Sequence, residues 1–174
     1  MEPPFTLRRA TPEDLSALDW LLSRSYPRLL RADYPPSVLV TALPIIARAR
    51  PELLQSGRYF VAVDPADGRL LGAGGYSLAA PAPQGMAQGP REAALGHIRH
   101  VVTAADRVRQ GIGRGVMTCV RTAAAAEGVT QLDCLSTRTA VPFYASLGFR
   151  TLGSVTVPLA PGIDFPAVRM QLTL

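Results

Sequence analysis

The stretch "HIRHVVTAADRVRQGIGRGVMTCVRTAAAAEG", from His97 to Gly128, constrains this chain more than any other. An apolar, strand-like run leads into alternating Gly111, Gly113 and Gly115, and a helix-like run leaves them. In that run Ile112, Val116, Val120 and Ala123/Ala124 recur at three- and four-residue spacing, so one face is apolar; Gly128 is a natural stop. A helix opening on such a turn aims unpaired backbone N–H groups, backed by its dipole, at one spot. Gly111 and Gly113 let an anion approach with no Cβ in the way, and Arg109 and Arg114 add positive charge. A pyrophosphate would fit there. A strand-to-helix turn without a ligand accounts for the glycines alone equally well.

Other anion sites fit less well. A dinucleotide fingerprint needs its third glycine one residue later than Gly115. All 18 basic residues are arginine, which excludes a Walker lysine and a lysine Schiff base. The net charge of +5 suits an anionic ligand without identifying it. A nucleic-acid face would interleave aromatics with spread arginines, but aromatics make up 6% of the chain and none lies at this turn. No nucleic-acid partner is therefore expected.

The rest of the chain reads as one domain over residues 1–174, with no internal repeat. "FTLRRA" alternates as a strand does, and Thr11-Pro12-Glu13-Asp14 reads as a helix start, with Thr11 as N-cap. That helix is expected to end before Pro27, leaving "RSYPRLLRADYPP" as a loop. "SVLVTALPIIARARPELLQSG" is helical in pattern, broken or kinked at Pro44 and Pro51. "RYFVAV" and "RLLGAGGYSL" form a hairpin around "DPADG". A Pro/Gly-rich loop, "AAPAPQGMAQGPREA", precedes the strand "LGHIRHVVT". "TQLDCLS" is the strand after the central helix, "TAVPFYASLG" a short helix closed by Gly148, and "AVRMQLTL" a half-buried strand. The class is α/β (α+β in some schemes), with a mixed sheet. No apolar run is long enough to span a bilayer, the N-terminus lacks signal-peptide order, and Cys119 and Cys134 read as free thiols without metal-ligand spacing, so a cytoplasmic protein without metal or membrane contact is expected.

Two segments together resemble the GNAT N-acetyltransferase superfamily. "RQGIGRGVM" matches the Q/R-x-x-G-x-G/A signature at Gly111-Ile112-Gly113. After a helix and a strand, "AVPFYASLGFR" matches a short helix bearing a tyrosine and ending "LGF", here Phe143-Tyr144 through Leu147-Gly148-Phe149. Two positions depart from the pattern. Val108 stands at the Q/R position, and Thr137 stands where the family often has an asparagine seven residues before the tyrosine.

The resemblance implies a mostly antiparallel central sheet flanked by helices and splayed at the strand pair around the cofactor, which would be acetyl-CoA. Pantetheine would pair with the edge at Val101, Val102 and Thr103, with Thr137, Phe143 and Tyr144 near the arm. The pyrophosphate would sit on the amides of Arg109, Gln110, Gly111, Ile112, Gly113 and Arg114, next to Val108. The N–H of Val102 would polarise the thioester carbonyl. Tyr144 would protonate the leaving sulfur. No acid lies on the strand before the turn, so His100 or His97 is the candidate base; each reads equally as a structural histidine. Tyr26, Arg31 and Tyr34 would line the acceptor site, and Arg99 would bind an acceptor carboxylate. The implied reaction acetylates a primary amine of a small molecule, peptide N-terminus or lysine. A non-catalytic acyl-CoA sensor of the same fold is the alternative, and a homodimer is compatible with either.

Overall fold

The computed structural model describes residues 4–174. The expected strand-helix opening forms first: β1 (Thr6–Arg9), a 3-10 turn (Pro12–Asp14) and α1 (Leu15–Leu30). Thr11 is the N-cap of a capping box closed by Asp14. The Asp14 carboxylate accepts the Thr11 N–H and two bonds from the Arg8 guanidinium, each at 2.8 Å.

α1 does not end before Pro27. It continues through the proline to Leu30, so Tyr26 is helical and the expected loop shrinks to residues 31–35. An interior proline forfeits one backbone bond, but the extra turn buries Leu30 to 2% exposure beside Leu39, Ala42 and Phe165. Packing outweighs propensity there. Pro44 is likewise inside α2 (Pro36–Ile46), and the break falls after it, before α3 (Pro51–Gln55), where Pro51 takes the first helical position.

Strands β2 (Tyr59–Val63), β3 (Leu70–Ser77) and β4 (Leu95–Thr103) follow, then α4 (Ile112–Ala126), β5 (Gln131–Ser136) and α5 (Val141–Ser146). A strand not anticipated from the sequence, β6 (Arg150–Ala160), pairs with β7 (Ile163–Thr173) in a long hairpin. The sheet order is β1-β2-β3-β4-β5-β7-β6. All neighbours are antiparallel except β4 and β5.

Helices α4 and α5 cover one face of the sheet over a core that includes Val116, Val120, Leu132, Tyr144 and Met170. Helices α1 and α3 cover the other with Leu18, Leu22, Leu54, Tyr59 and Val102, and α2 extends that layer over β7. Among the described residues, no helix is long and apolar enough to cross a membrane.

Candidate active site

β4 and β5 pair only from Leu95↔Gln131 to His97↔Asp133. Beyond these three pairs they diverge. The divergence coincides with a bulge in β4: Gly75 opposes Arg99 and Ala73 opposes Val102, so His100 and Val101 together oppose one residue of β3. His100 adopts φ +47°, the left-handed conformation expected at a bulge.

The bulge decides which backbone groups face the gap. The Ala104 N–H donates to the Leu71 carbonyl at 2.8 Å, and the ladder continues through Gly72↔Thr103 and Ala73↔Val102. Antiparallel partners alternate between hydrogen-bonded and open pairs. Val102 is therefore bonded to Ala73, while Val101 and Thr103 turn their N–H and C=O groups toward β5. The expected role for the Val102 N–H is corrected accordingly: that N–H is already committed within the sheet.

Two tyrosines brace the bulge from the α1 face. The Tyr26 hydroxyl donates to the Val101 carbonyl at 2.9 Å, and that of Tyr59 to the His100 carbonyl at 2.6 Å. Burial raises the pKa of both phenols, so they stay protonated donors.

A cleft of about 940 Å³ runs through the gap. At one end stands the start of α4. Arg109 (φ +63°) and Gly111 (φ +80°) are both left-handed, a backbone arrangement that gathers successive N–H groups into an anion-binding concavity. A Cβ on Gly113 would lie 3.0 Å from the Phe143 ring and 3.4 Å from the Thr103 hydroxyl, so the cradle stays open because this residue has none. Val108, Arg109, Ile112, Gly113 and Arg114 line this end. Gln110 is exposed and not on the lining. Thr137 is on the wall, where its hydroxyl accepts the Ala140 N–H (3.2 Å) and caps the turn into α5.

Tyr144, 4% exposed, lines the middle of the cleft beside the Cys134 thiol. Burial raises its pKa well above the ordinary phenol value, and pushes the thiol up to about 12. Both groups hold their protons at neutral pH.

His100 also reaches the cleft, but not as a competent base. Burial, then the charges of Arg50 and Arg99, lower its pKa to about 3. Its Nε2 accepts a long bond from the Arg50 Nε (3.4 Å), and its Nδ1 is buried without a partner. His97 lies outside the lining, paired in the ladder with Asp133.

The expected acceptor residues separate. Tyr26 lines the cleft, bound to β4. Tyr34 is built into the fold instead: its ring stacks on Phe165 with centroids 4.6 Å apart, and its hydroxyl donates to the Pro166 carbonyl (2.7 Å) and accepts the Arg138 N–H (2.8 Å). Arg31 is exposed at the end of α1, off the lining. Arg99 is also off the lining and donates to the Ser77 hydroxyl at 3.2 Å. The far end of the cleft is walled by Leu29, Leu30, Ile46, Val157, Leu159 and Phe165. None of these was anticipated. The alternation of Val155, Val157 and Leu159 is the signal that would have revealed β6.

Comparison with known proteins places this geometry. A family model described as an acetyltransferase (GNAT) domain matches residues 44–174. No curated protein matches the chain by sequence. Among solved structures, a GCN5-related N-acetyltransferase from Rhodopseudomonas palustris superposes with a TM-score of 0.74 at 21% identity, covering 100% of this chain and 98% of that one. The PaiA N-acetyltransferase from Thermoplasma acidophilum, solved with coenzyme A, gives 0.71 at 14% identity over 100% of both chains. N-acetylglutamate synthase from Neisseria gonorrhoeae, solved with coenzyme A and N-acetylglutamate, gives 0.62 at 16% identity over 100% of this chain and 36% of that one.

Proposed function

We propose, from the premise that this chain belongs to the GNAT acetyltransferase family, that it moves an acetyl group from acetyl-CoA to a primary amine. The observation that carries the reading is the cleft itself, in which an anion cradle at a helix start, an unpaired strand edge and a buried phenol lie along one wall. Coenzyme A in two structural relatives supports the same cofactor here.

The residues fit that group. The amides from Arg109 to Arg114 would hold the pyrophosphate, with the bare Gly113 leaving room for it. The Val101 N–H and the Thr103 backbone groups would face the extended pantetheine arm, as the edge of a sheet faces an added strand, while the Val101 carbonyl is taken by Tyr26. Thr137 and Phe143 would flank the arm. Bound there, acetyl-CoA supplies a thioester whose sulfur is a tolerable leaving group.

The chain's own contribution is placement and one proton. The N–H of Val101, freed by the bulge, would donate to the developing oxyanion. The Val101 N–H shares its peptide plane with the His100 carbonyl, which the Tyr59 hydroxyl holds at 2.6 Å; that makes Tyr59 the positioning residue. Tyr144 would deliver its phenolic proton from Oη to the departing sulfur, and its raised pKa keeps that proton in place beforehand. His100 supports the bulge and is not the base.

Thiol release from acetyl-CoA, followed with a mixed panel of primary amines and with acetylated product identified by mass, tests the reading. Release with at least one amine is expected. Tyr144→Phe should slow it by about 100-fold, the low end for loss of a general acid, while leaving acetyl-CoA affinity unchanged. Tight acetyl-CoA binding without turnover of any amine would instead favour the acyl-CoA sensor.

A further inference from the structure

The two ends of the cleft differ in chemistry. The end at α4 carries Arg109 and Arg114. The opposite end, on the α1 and α2 face, is hydrocarbon and one aromatic ring: Leu29, Leu30, Ile46, Val157, Leu159 and Phe165. Among the described residues, every ionised side chain on the lining is an arginine.

None of the carboxylates on the surrounding elements is on the lining; each is engaged by a neighbouring group or exposed, and Asp33 comes nearest, bonded to Thr139 of the wall. Asp19 accepts the Ala49 N–H (2.8 Å), Asp33 the Thr139 hydroxyl (2.7 Å), and Asp133 the Arg169 guanidinium (3.2 Å). Glu52 faces Arg50 at 4.0 Å, and Asp164 is solvent-exposed. Behind His100 stand two more cations, Arg50 and Arg99. The remaining titratable groups around it, Tyr26, Tyr59, Cys134 and Tyr144, are neutral.

An ammonium group entering this end would lose its hydration against hydrocarbon and find no carboxylate on the lining to replace it. The penalty for such an ion is several kcal/mol. An alkylamine would also arrive protonated, with no base to relieve it. Only the free lone pair can attack: the C–N bond forms as the thioester C–S bond breaks, and the proton lost by the amine ends on the thiol. We infer that the acceptor is an apolar primary amine that is uncharged at neutral pH, of the arylamine class, seated against Phe165 and the aliphatic wall of α1, α2 and β6. This rests on the acetyl-transfer reading and narrows its substrate.

The test compares para-propylaniline, phenylpropylamine and spermidine as acceptors, with thiol release as one readout. Calorimetric binding of para-propylaniline to the protein saturated with coenzyme A is the other. The aniline should bind, and its kcat/KM at neutral pH should exceed that of spermidine by about 100-fold or more, the equivalent of about 2.7 kcal/mol. Its rate should be flat from about pH 6.5 to about 8.5, while that of phenylpropylamine climbs about tenfold per unit as its neutral fraction grows. Val157→Asp places a carboxylate on the half-buried wall of β6 and should cut the preference for the aniline over spermidine by about tenfold. Equal or better turnover of spermidine, or an unchanged preference in Val157→Asp, overturns the inference while leaving acetyl transfer intact. Failure to bind acetyl-CoA removes both.

Discussion

His100 shows how one residue ties strain, charge and stability together. Its left-handed backbone makes the bulge, its carbonyl is held by Tyr59, and its imidazole is neutral down to about pH 3. The unfolded chain takes up a proton near pH 6.5, whereas the folded protein does not until its much lower pKa. Below pH 6.5 the unfolded state therefore binds more protons, so stability is present above that value and is lost as pH falls toward 3. For one such histidine the slope is at most about 1.4 kcal/mol per pH unit. His97, whose pKa is also lowered by burial, adds to the same trend. Urea unfolding between about pH 6.5 and about pH 5 should show the loss in the parent and a shallower slope in His100→Asn, a side chain that tolerates positive φ. Identical slopes would mean that His100 titrates normally.

At the scale of elements, the start of α4 is where the proposed phosphate site rests on backbone geometry. Gly113→Asp would push a Cβ toward Phe143 and set a carboxylate in the anion cradle. The acid suits the helix dipole, so melting temperature should fall little, while acetyl-CoA affinity should drop by about tenfold or more, about 1.4 kcal/mol. Unchanged affinity in calorimetry would move the phosphate site elsewhere. This turn was legible in the sequence because its signals are local: alternating glycines, flanking arginines and an apolar strand whose bounds, Leu95 to Thr103, the structure reproduces. The extent of α1 was not legible, because the proline at position 27 argues for a stop and only the distant partners of Leu30 reverse it. β6 escaped for a related reason. Its residues alternate between exposed and half-buried, a weak contrast at the edge of the sheet. The bulge, too, lies in the pairing of β4 with β3 and not in either strand alone. These gaps explain why the glycine turn and the short helix bearing Tyr144 were readable while the apolar end of the cleft, assembled from α1, α2, β6 and β7, was not.

Across the described residues the sheet acts as a partition that opens between β4 and β5. Helix α4 presents amides and arginines on one face, α1 and α2 present hydrocarbon on the other, and the divergence of β4 from β5 joins them. The overall charge of +5 favours the approach of a polyanionic cofactor. The central claim is that this opening holds acetyl-CoA, and calorimetric titration of acetyl-CoA into the purified protein tests it most directly. Saturable binding at one site per chain is expected, with stabilisation of about 2.7 kcal/mol when the ligand stands at about a hundredfold excess over its Kd. No heat of binding together with an unshifted Tm at high acetyl-CoA would contradict it.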